Sequence, residues 1–520
     1  MVAVKTGFVL ILVAILGVLA FPCTDVLVSK GATVDGSVIT THTCDGAYDS
    51  RLIIVPAADH APGTMASVWK GMIRAYPEFS QYPPMVKLGE IPEVPHTYKI
   101  FKIAYPFANE HQVMIGENTI GRASVLAPNL DEAIMYIEQL EYFGLQRAKT
   151  ARECILVMGE LAEKYGYADT GEGLAIADPN EVWLFEIYPV GPLWTRDSGK
   201  PGAVWVAARV PDGHVAVQPN RSRIGEIDPN DTENFMVSSN YMSCAIELGL
   251  YDPASGEPFV WRFVYRDVRP LSLDYRTWRL FNLLAPSGNW QIEDVPNYPF
   301  SFQPDKLLSL ADIIEIYHDV LEGTEYDITE AEVWYYTDSR GNRVKSPYAT
   351  PQVQALSGMA AWLGLSPARK IAISTCSYFF VGQVRDWLPN EIGAVAWFGL
   401  NNPATSPWIP VWVGIEEVPV SWTVLDRTKF DRNSAWWAFD IADTLVNQRY
   451  GNLKPVLDGV KDPFQDEINT TYAAVERAAT LMYATDPKAA VQLLTNFTYT
   501  YMLKAEQLWW NLVDTLLFRL

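Results

Sequence analysis

Apolar and polar residues alternate over Thr24 to Ser29 and again over Ser37 to Thr41, on either side of the turn residues Asp35-Gly36, which predicts a strand pair. The period then changes. Leu130 to Gln146 and Thr150 to Tyr165 carry helical apolar spacing. The second segment opens on Thr150 with Glu153 three residues later, as in a capping box, and closes at Gly166. Strand character returns in Gly173 to Ala177, in Glu181 to Ile187 after the Asp178-Pro179-Asn180 turn, and in Ala203 to Val210 before Pro211-Asp212-Gly213. It recurs in Ile371 to Tyr378 and Ala394 to Phe398, and the remainder of the chain from about residue 431 is helical in pattern. Blocks of strands and helices in this order predict a layered α+β domain with C-terminal helices appended or packed against it. Asp252 to Thr350, rich in Pro, Tyr and Arg, has too little periodicity to predict an element.

The first residues follow an export pattern. Lys5 is the only charge before Asp25, and the apolar run Gly7 to Phe21 is shorter than the roughly 20 residues that span a bilayer. Val18 and Ala20 are the small residues that signal peptidase reads, so a cut after Ala20 leaves Phe21-Pro22 ahead of Cys23. Pro22, standing directly before Cys23, does not fit a lipoprotein signal. Residues 1–22 therefore read as a signal peptide with a short propeptide, and the product as exported. Contact with a membrane is expected only through a leader left uncut.

Composition narrows the partners. The 520 residues are 49% hydrophobic and 19% charged, enough for a large core, and the formal charge of −21 repels phosphate backbones, so nucleic acid is excluded as a partner. The five cysteines include no C-x-x-C pair, and either disulfides or buried free thiols suit their number. None of the six histidines stands in an H-E-x-x-H motif, and His42-Thr43-Cys44-Asp45 is too cramped for a tetrahedral site. There is no G-x-S-x-G elbow or P-loop, and Gly171-Glu172-Gly173 follows a helix rather than a strand. No metal or organic cofactor is implied. Nothing in the sequence bears on an oligomeric state.

A cysteine directly after a removable segment has chemistry that an internal cysteine lacks. Processing frees an α-amine of pKa ~7.7–8.0, basic enough to take the thiol proton of the same residue so that the sulfur attacks a carbonyl. The run from Cys23-Thr24-Asp25-Val26-Leu27-Val28-Ser29 to Asp35-Gly36-Ser37 resembles the start of mature N-terminal-cysteine dipeptidases of the PepD type, which are N-terminal nucleophile (Ntn) hydrolases. The resemblance continues in order through Asn109-Glu110-His111-Gln112-Val113 with Glu117, Ala151-Arg152-Glu153, Ala177-Asp178-Pro179-Asn180-Glu181-Val182-Trp183, and Trp205 to Asp212. Asn220, Arg223-Ile224, Gln383 to Pro389 and Gly393 to Trp397 complete it. It implies a four-layer αββα sandwich for residues 23–430, with the helical segment 431–520 packed on it, and hydrolysis of dipeptides or other small amides.

Carried over residue by residue, the resemblance makes Cys23 the nucleophile and its amine the base. Related hydrolases have an Arg-x-x-Asp pair near the first strands; here His42 stands at the Arg position and Asp45 at the Asp position, where it can orient the amine or thiol. The missing arginine leaves ion-pair tuning open. His42 reads either as its substitute or as a partly exposed strand residue, and Asp45 otherwise as a turn residue before Gly46. Asn220 matches an oxyanion donor, although it also begins a glycosylation sequon and suits an Asx turn after Pro219. Glu117 and Thr119 fall where the family places pocket residues, without a choice between them. Arg152 and Arg209 read as structural ion-pair partners. Outside the dipeptidase reading stand an N-acyl amidohydrolase using the same nucleophile and a membrane-tethered binding protein without catalysis.

Overall fold

The computed structural model describes residues 23–73, 85–266, 273–353 and 358–520. The leader assigned to residues 1–22 lies outside the described residues. The chain is a mixed α/β structure built on antiparallel sheets, in agreement with the α+β expectation. The elements that frame the site are β1 (Asp25–Val28), β2 (Val38–Asp45), β3 (Met114–Ile120), α1 (Ile137–Arg147), α2 (Ala151–Tyr165), β4 (Gly171–Ala177), β5 (Val182–Pro189), β6 (Ala203–Arg209) and β7 (Val215–Gln218). They continue as α3 (Tyr275–Leu284), β8 (Cys376–Val384), β9 (Val395–Leu400), β10 (Ile409–Trp412), α4 (Ala435–Gln448), α5 (Tyr450–Tyr483) and α6 (Pro487–Arg519).

One sheet runs Ser301–Phe302, β7, β1, β2, β8, β9, β10. The other runs Phe235–Val237, β6, β5, β4, β3, Ala108–Asn109, Ile100–Lys102, Ile53–Val55. The sheets face each other through β1 and β2 on one side and β3 to β5 on the other. Helix α2 lies against β4, β5 and β6, while α4 packs on β9 and α6 on β10. The central strands are buried on both faces, so the Thr, His and Asp side chains of β2 are enclosed along with the apolar ones.

Two sequence boundaries move. The helix expected over Leu130 to Gln146 begins only at Ile137, because the N–H groups of Ile134 and Met135 donate to the carbonyls of Tyr165 and Gly166 and so are taken by the end of α2. The strand expected from Ile371 begins at Cys376: the Ala372 N–H donates to Asp319 O, and the Cys376 N–H closes a turn on Ile373 O. Those apolar residues are core without being strand. The start of α2 agrees with its cap. Thr150 accepts from the Glu153 N–H, while the Glu153 carboxylate reaches the Lys149 N–H; Gly166, with φ of 78°, ends the helix.

The sheets approach closely beside the first strand. A Cβ on Gly116 of β3 would lie 2.2 Å from Thr41 O and 3.3 Å from Asp25 Cγ, and one on Gly173 of β4 would lie 2.1 Å from Gln218 Nε2. Glycine is needed at Gly116 because a backbone carbonyl of the opposite sheet occupies the space, while at Gly173 the Gln218 side-chain amide fills it. Gly116→Ala is therefore expected to lower the melting temperature by an overpacking cost of about 1–3 kcal/mol or more. Gly225→Ala, where a Cβ meets nothing within 4 Å, should melt with the parent protein. Equal melting curves for both variants would show that the sheets are not in contact at Gly116.

Candidate active site

Cys23 sits at the head of β1, between the two sheets and 2% exposed. Strand β1 pairs with β7 along its length but with β2 only at Leu27 and Val28, so its first half separates from β2. Two threonines of β2 fill the gap. The Thr24 N–H donates to Thr43 Oγ1 at 3.0 Å and the Val26 N–H to Thr41 Oγ1 at 2.7 Å, which satisfies donors that would otherwise be buried without partners. The β-branched alternation of β2 thus sets the position of Cys23 as well as completing the sheet.

The strongest anchor comes from the segment whose sequence predicts no element. Arg276, near the start of α3 and 5% exposed, donates to the Cys23 carbonyl, to Thr24 Oγ1 at 3.0 Å, to the Pro219 carbonyl at 2.9 Å and to Asn220 Oδ1 at 2.9 Å. Burial, with Arg369 nearby, lowers its pKa to about 9, so it stays charged at neutral pH. One guanidinium thus joins the backbone of the cysteine to the residue that was expected to donate to the oxyanion. A local signal was present: Asp274 caps α3 by accepting from the Thr277 N–H at 3.2 Å, and Leu280, Phe281 and Leu284 then follow at helical spacing. The sequence has no means of showing where Arg276 points.

Asn220 adopts φ of 59° directly after β7. Its side-chain N–H₂ donates to Thr119 O at 2.7 Å, and its backbone N–H donates to Asn118 Oδ1. Asn118 in turn donates to Gln218 O at 2.6 Å and to Asp25 Oδ2 at 3.3 Å. A buried chain of side-chain amides therefore links β1, β3 and the end of β7. Neither Asn118 nor Asp25 was singled out from the sequence.

His42 and Asp45 do not act as a pair. His42 is 1% exposed rather than partly exposed, because both faces of β2 are covered. Its Nδ1 lies 3.2 Å from Asp25 Oδ1 and accepts from the Glu117 N–H at 3.2 Å, and burial lowers its pKa to about 3. A neutral imidazole cannot replace an arginine. The cation beside Asp45 is Arg369, which donates to Asp45 Oδ2 from the segment preceding β8. Burial nevertheless raises the Asp45 pKa to about 6, against the pull of Arg369 and Arg276. Asp45 ends β2 fully buried and is not an exposed turn residue.

Glu117 of β3 comes close to Cys23, with Oε2 3.8 Å from Cys23 Sγ, while Thr119 Oγ1 donates to Glu117 Oε1 at 3.1 Å. A hydrogen bond with Cys44, then burial and the Glu117 charge, hold the Cys23 thiol well above its ordinary pKa. These surroundings favour the thiol over the thiolate. Cys23, His42 and Glu117 also each offer one ligand atom within 4.8 Å of the others, a spacing open to a metal ion. They come from three separate strands, so a search for neighbouring ligands along the sequence does not find them. All five cysteines are free and buried. Arg152 and Arg209 converge on Glu181, Arg152 at 3.0 Å and Arg209 at 3.7 Å, as structural ion pairs.

With this geometry in view, the model of peptidase family C69 matches residues 22–462. Among curated proteins, a probable dipeptidase of Latilactobacillus sakei is 24% identical over 465 residues, covering 88% of this chain and 87% of the relative. A probable dipeptidase of Salmonella dublin is 25% identical over 404 residues, 76% of this chain and 81% of the relative. Dipeptidase A of Lactobacillus helveticus is 24% identical over 451 residues, 84% and 85%. Since the match spans both sheets and every residue gathered around Cys23, the chain belongs to peptidase family C69 and is a hydrolase.

Proposed function

We propose that this chain is an exported dipeptidase whose nucleophile is Cys23, made N-terminal by removal of residues 1–22. The observation that carries the reading is the anchoring of Cys23 by Arg276, which also holds the Asn220 amide beside it. The curated relatives named as dipeptidases support the substrate class, and the family match beginning at residue 22 supports the processing point. The two facing sheets, with α1 and α2 outside one and α4 to α6 outside the other, favour the four-layer αββα sandwich of Ntn hydrolases. In this reading residues 23–430 form the catalytic domain and 431–520 pack on it.

In the mature enzyme the free amine of Cys23 takes the thiol proton and Sγ attacks the scissile carbonyl carbon. The second side-chain N–H of Asn220, beyond the one held by Thr119 O, stabilises the developing oxyanion. The ammonium returns its proton to the leaving amine, which leaves a thioester on Cys23. Water, deprotonated by the same amine, then releases the acid. Asp45 is a positioning residue, acting through Arg369 and the field around the thiol. The carboxylates beside the sulfur favour a substrate with a free amine over an N-acyl amide. A lipid-tethered role suits a cysteine buried between sheets poorly.

Maturation follows from the same groups. In a precursor beginning at Phe21, Cys23 Sγ attacks the Pro22 carbonyl carbon, the Pro22–Cys23 C–N bond breaks, and the departing nitrogen takes the thiol proton. Water then hydrolyses the thioester and frees Phe21-Pro22. Purified precursor should lose two residues with first-order kinetics independent of protein concentration, read by mass spectrometry, while Cys23→Ala precursor keeps them. Trimming of the Ala variant at the parent rate would assign maturation to another enzyme.

Cys23→Ala should abolish dipeptide hydrolysis without changing the melting curve, and Asn220→Ala should lower kcat about 10²-fold. Undiminished turnover in the first variant removes Cys23 from the mechanism. An unchanged kcat with earlier melting in the second makes Asn220 a structural turn. Iodoacetamide should inactivate the enzyme and a chelator should not; inactivation by the chelator would favour a metal at Cys23, His42 and Glu117 instead.

A further inference from the structure

Glu117 and Glu172 form a buried carboxylate pair beside the nucleophile. Register aligns Glu172 of β4 with Thr119 of β3, so strand alternation puts Glu117, Thr119 and Glu172 on one face of the sheet. Burial raises the pKa of both, Glu117 to about 7 and Glu172 well above the usual carboxylate range. Among the described residues no lysine or arginine forms an ion pair with either, and Glu172 Oε2 is buried without a hydrogen-bond partner. An uncompensated carboxylate in such a place is destabilising unless a cation arrives from outside.

The reaction itself supplies such a cation. In a substrate cleaved after its first residue, the α-nitrogen lies about 2.5 Å from the carbonyl carbon, two bonds away. That carbon must come to within one bond of Cys23 Sγ, and Glu117 Oε2 stands 3.8 Å from the same sulfur. An ammonium in that position reaches Glu117 directly. Thr119, hydrogen-bonded to Glu117, and Asn220, bonded to Thr119 O, are only half-buried.

We propose that Glu117, backed by Glu172 and held by Thr119, receives the free α-ammonium of the substrate's first residue and so restricts the enzyme to bonds that follow an unblocked N-terminal residue. The assignment rests on the dipeptidase reading and deepens it. It makes Glu117 a substrate-binding residue rather than part of thiol activation.

The test compares Ala-Ala with propionyl-Ala, which has the same scissile bond and no amine, on mature enzyme. The parent enzyme should prefer Ala-Ala by about 10²-fold or more in kcat/KM. Glu117→Gln should collapse that preference by lowering kcat/KM for Ala-Ala far more than for propionyl-Ala, without slowing Cys23 alkylation by iodoacetamide, since loss of the Glu117 charge eases thiolate formation. Equal losses on both substrates with slower alkylation, or an undiminished preference, would overturn the assignment and leave the dipeptidase reading intact. If the parent enzyme hydrolyses neither compound, the dipeptidase reading fails and the assignment with it. Should Glu117→Gln not fold, Glu117→Asp gives the same contrast: a raised KM for Ala-Ala alone supports the assignment, and an unchanged KM overturns it.

Discussion

The site is organised around one buried guanidinium. Arg276 meets the Cys23 carbonyl, Thr24 Oγ1, the Pro219 carbonyl and Asn220 Oδ1, and these acceptors come from two separate stretches of chain. Arginine suits the task because its planar fork presents several donors in fixed directions and keeps its charge when buried. A lysine would satisfy fewer of these oxygens and leave the others without partners. The arrangement also makes the short helix α3, from an otherwise irregular segment, part of the catalytic frame.

The second constraint is the closeness of the two sheets around β1. At Gly116 and Gly173 there is no room for a Cβ, so backbone and short polar side chains make the contacts across the gap. Thr40 Oγ1 donates to Ala175 O at 3.0 Å, and the Glu117 N–H donates to His42 Nδ1 at 3.2 Å. These inter-sheet hydrogen bonds tie β2 to β4 and to β3, and the latter brings Glu117 to Cys23. Small residues and β-branched polar residues therefore do in this core what larger apolar side chains do elsewhere in the same sheets.

Burial dominates the electrostatics of the carboxylates around Cys23. Among the described residues, Asp25, Asp45, Glu117 and Glu172 are all raised by burial, while Arg276 and Arg369 pull Asp45 the other way. Such a field disfavours a thiolate and attracts a cation. A newly freed α-amine at Cys23 and an incoming ammonium are both cations that this field stabilises. The proposed processing and the proposed ammonium binding would thus draw on one feature of the site.

Much of the site was legible along the chain because its logic is local. Cys23 after a leader, the Thr-rich strand β2, the cap at Thr150 and the turn before Val182 each depend on a few neighbouring residues, and ordered motifs carried the family. The helix at Leu130 and the strand at Ile371 were misplaced because their backbone donors bond to distant carbonyls, a competition that periodicity does not record. Asp45 was found, but its partner Arg369 lies 324 positions away. Arg276 was missed although its helix carries a capping aspartate, and His42 was taken for a partly exposed residue although it is buried. The sequence by itself determined which residue types were available and where strands and helices begin to be favourable, since those follow from short-range sterics and burial. Only the tertiary structure decided which cation faces which carboxylate and which amide Arg276 ties to the Cys23 backbone, because those pairings depend on distances set by packing two sheets together.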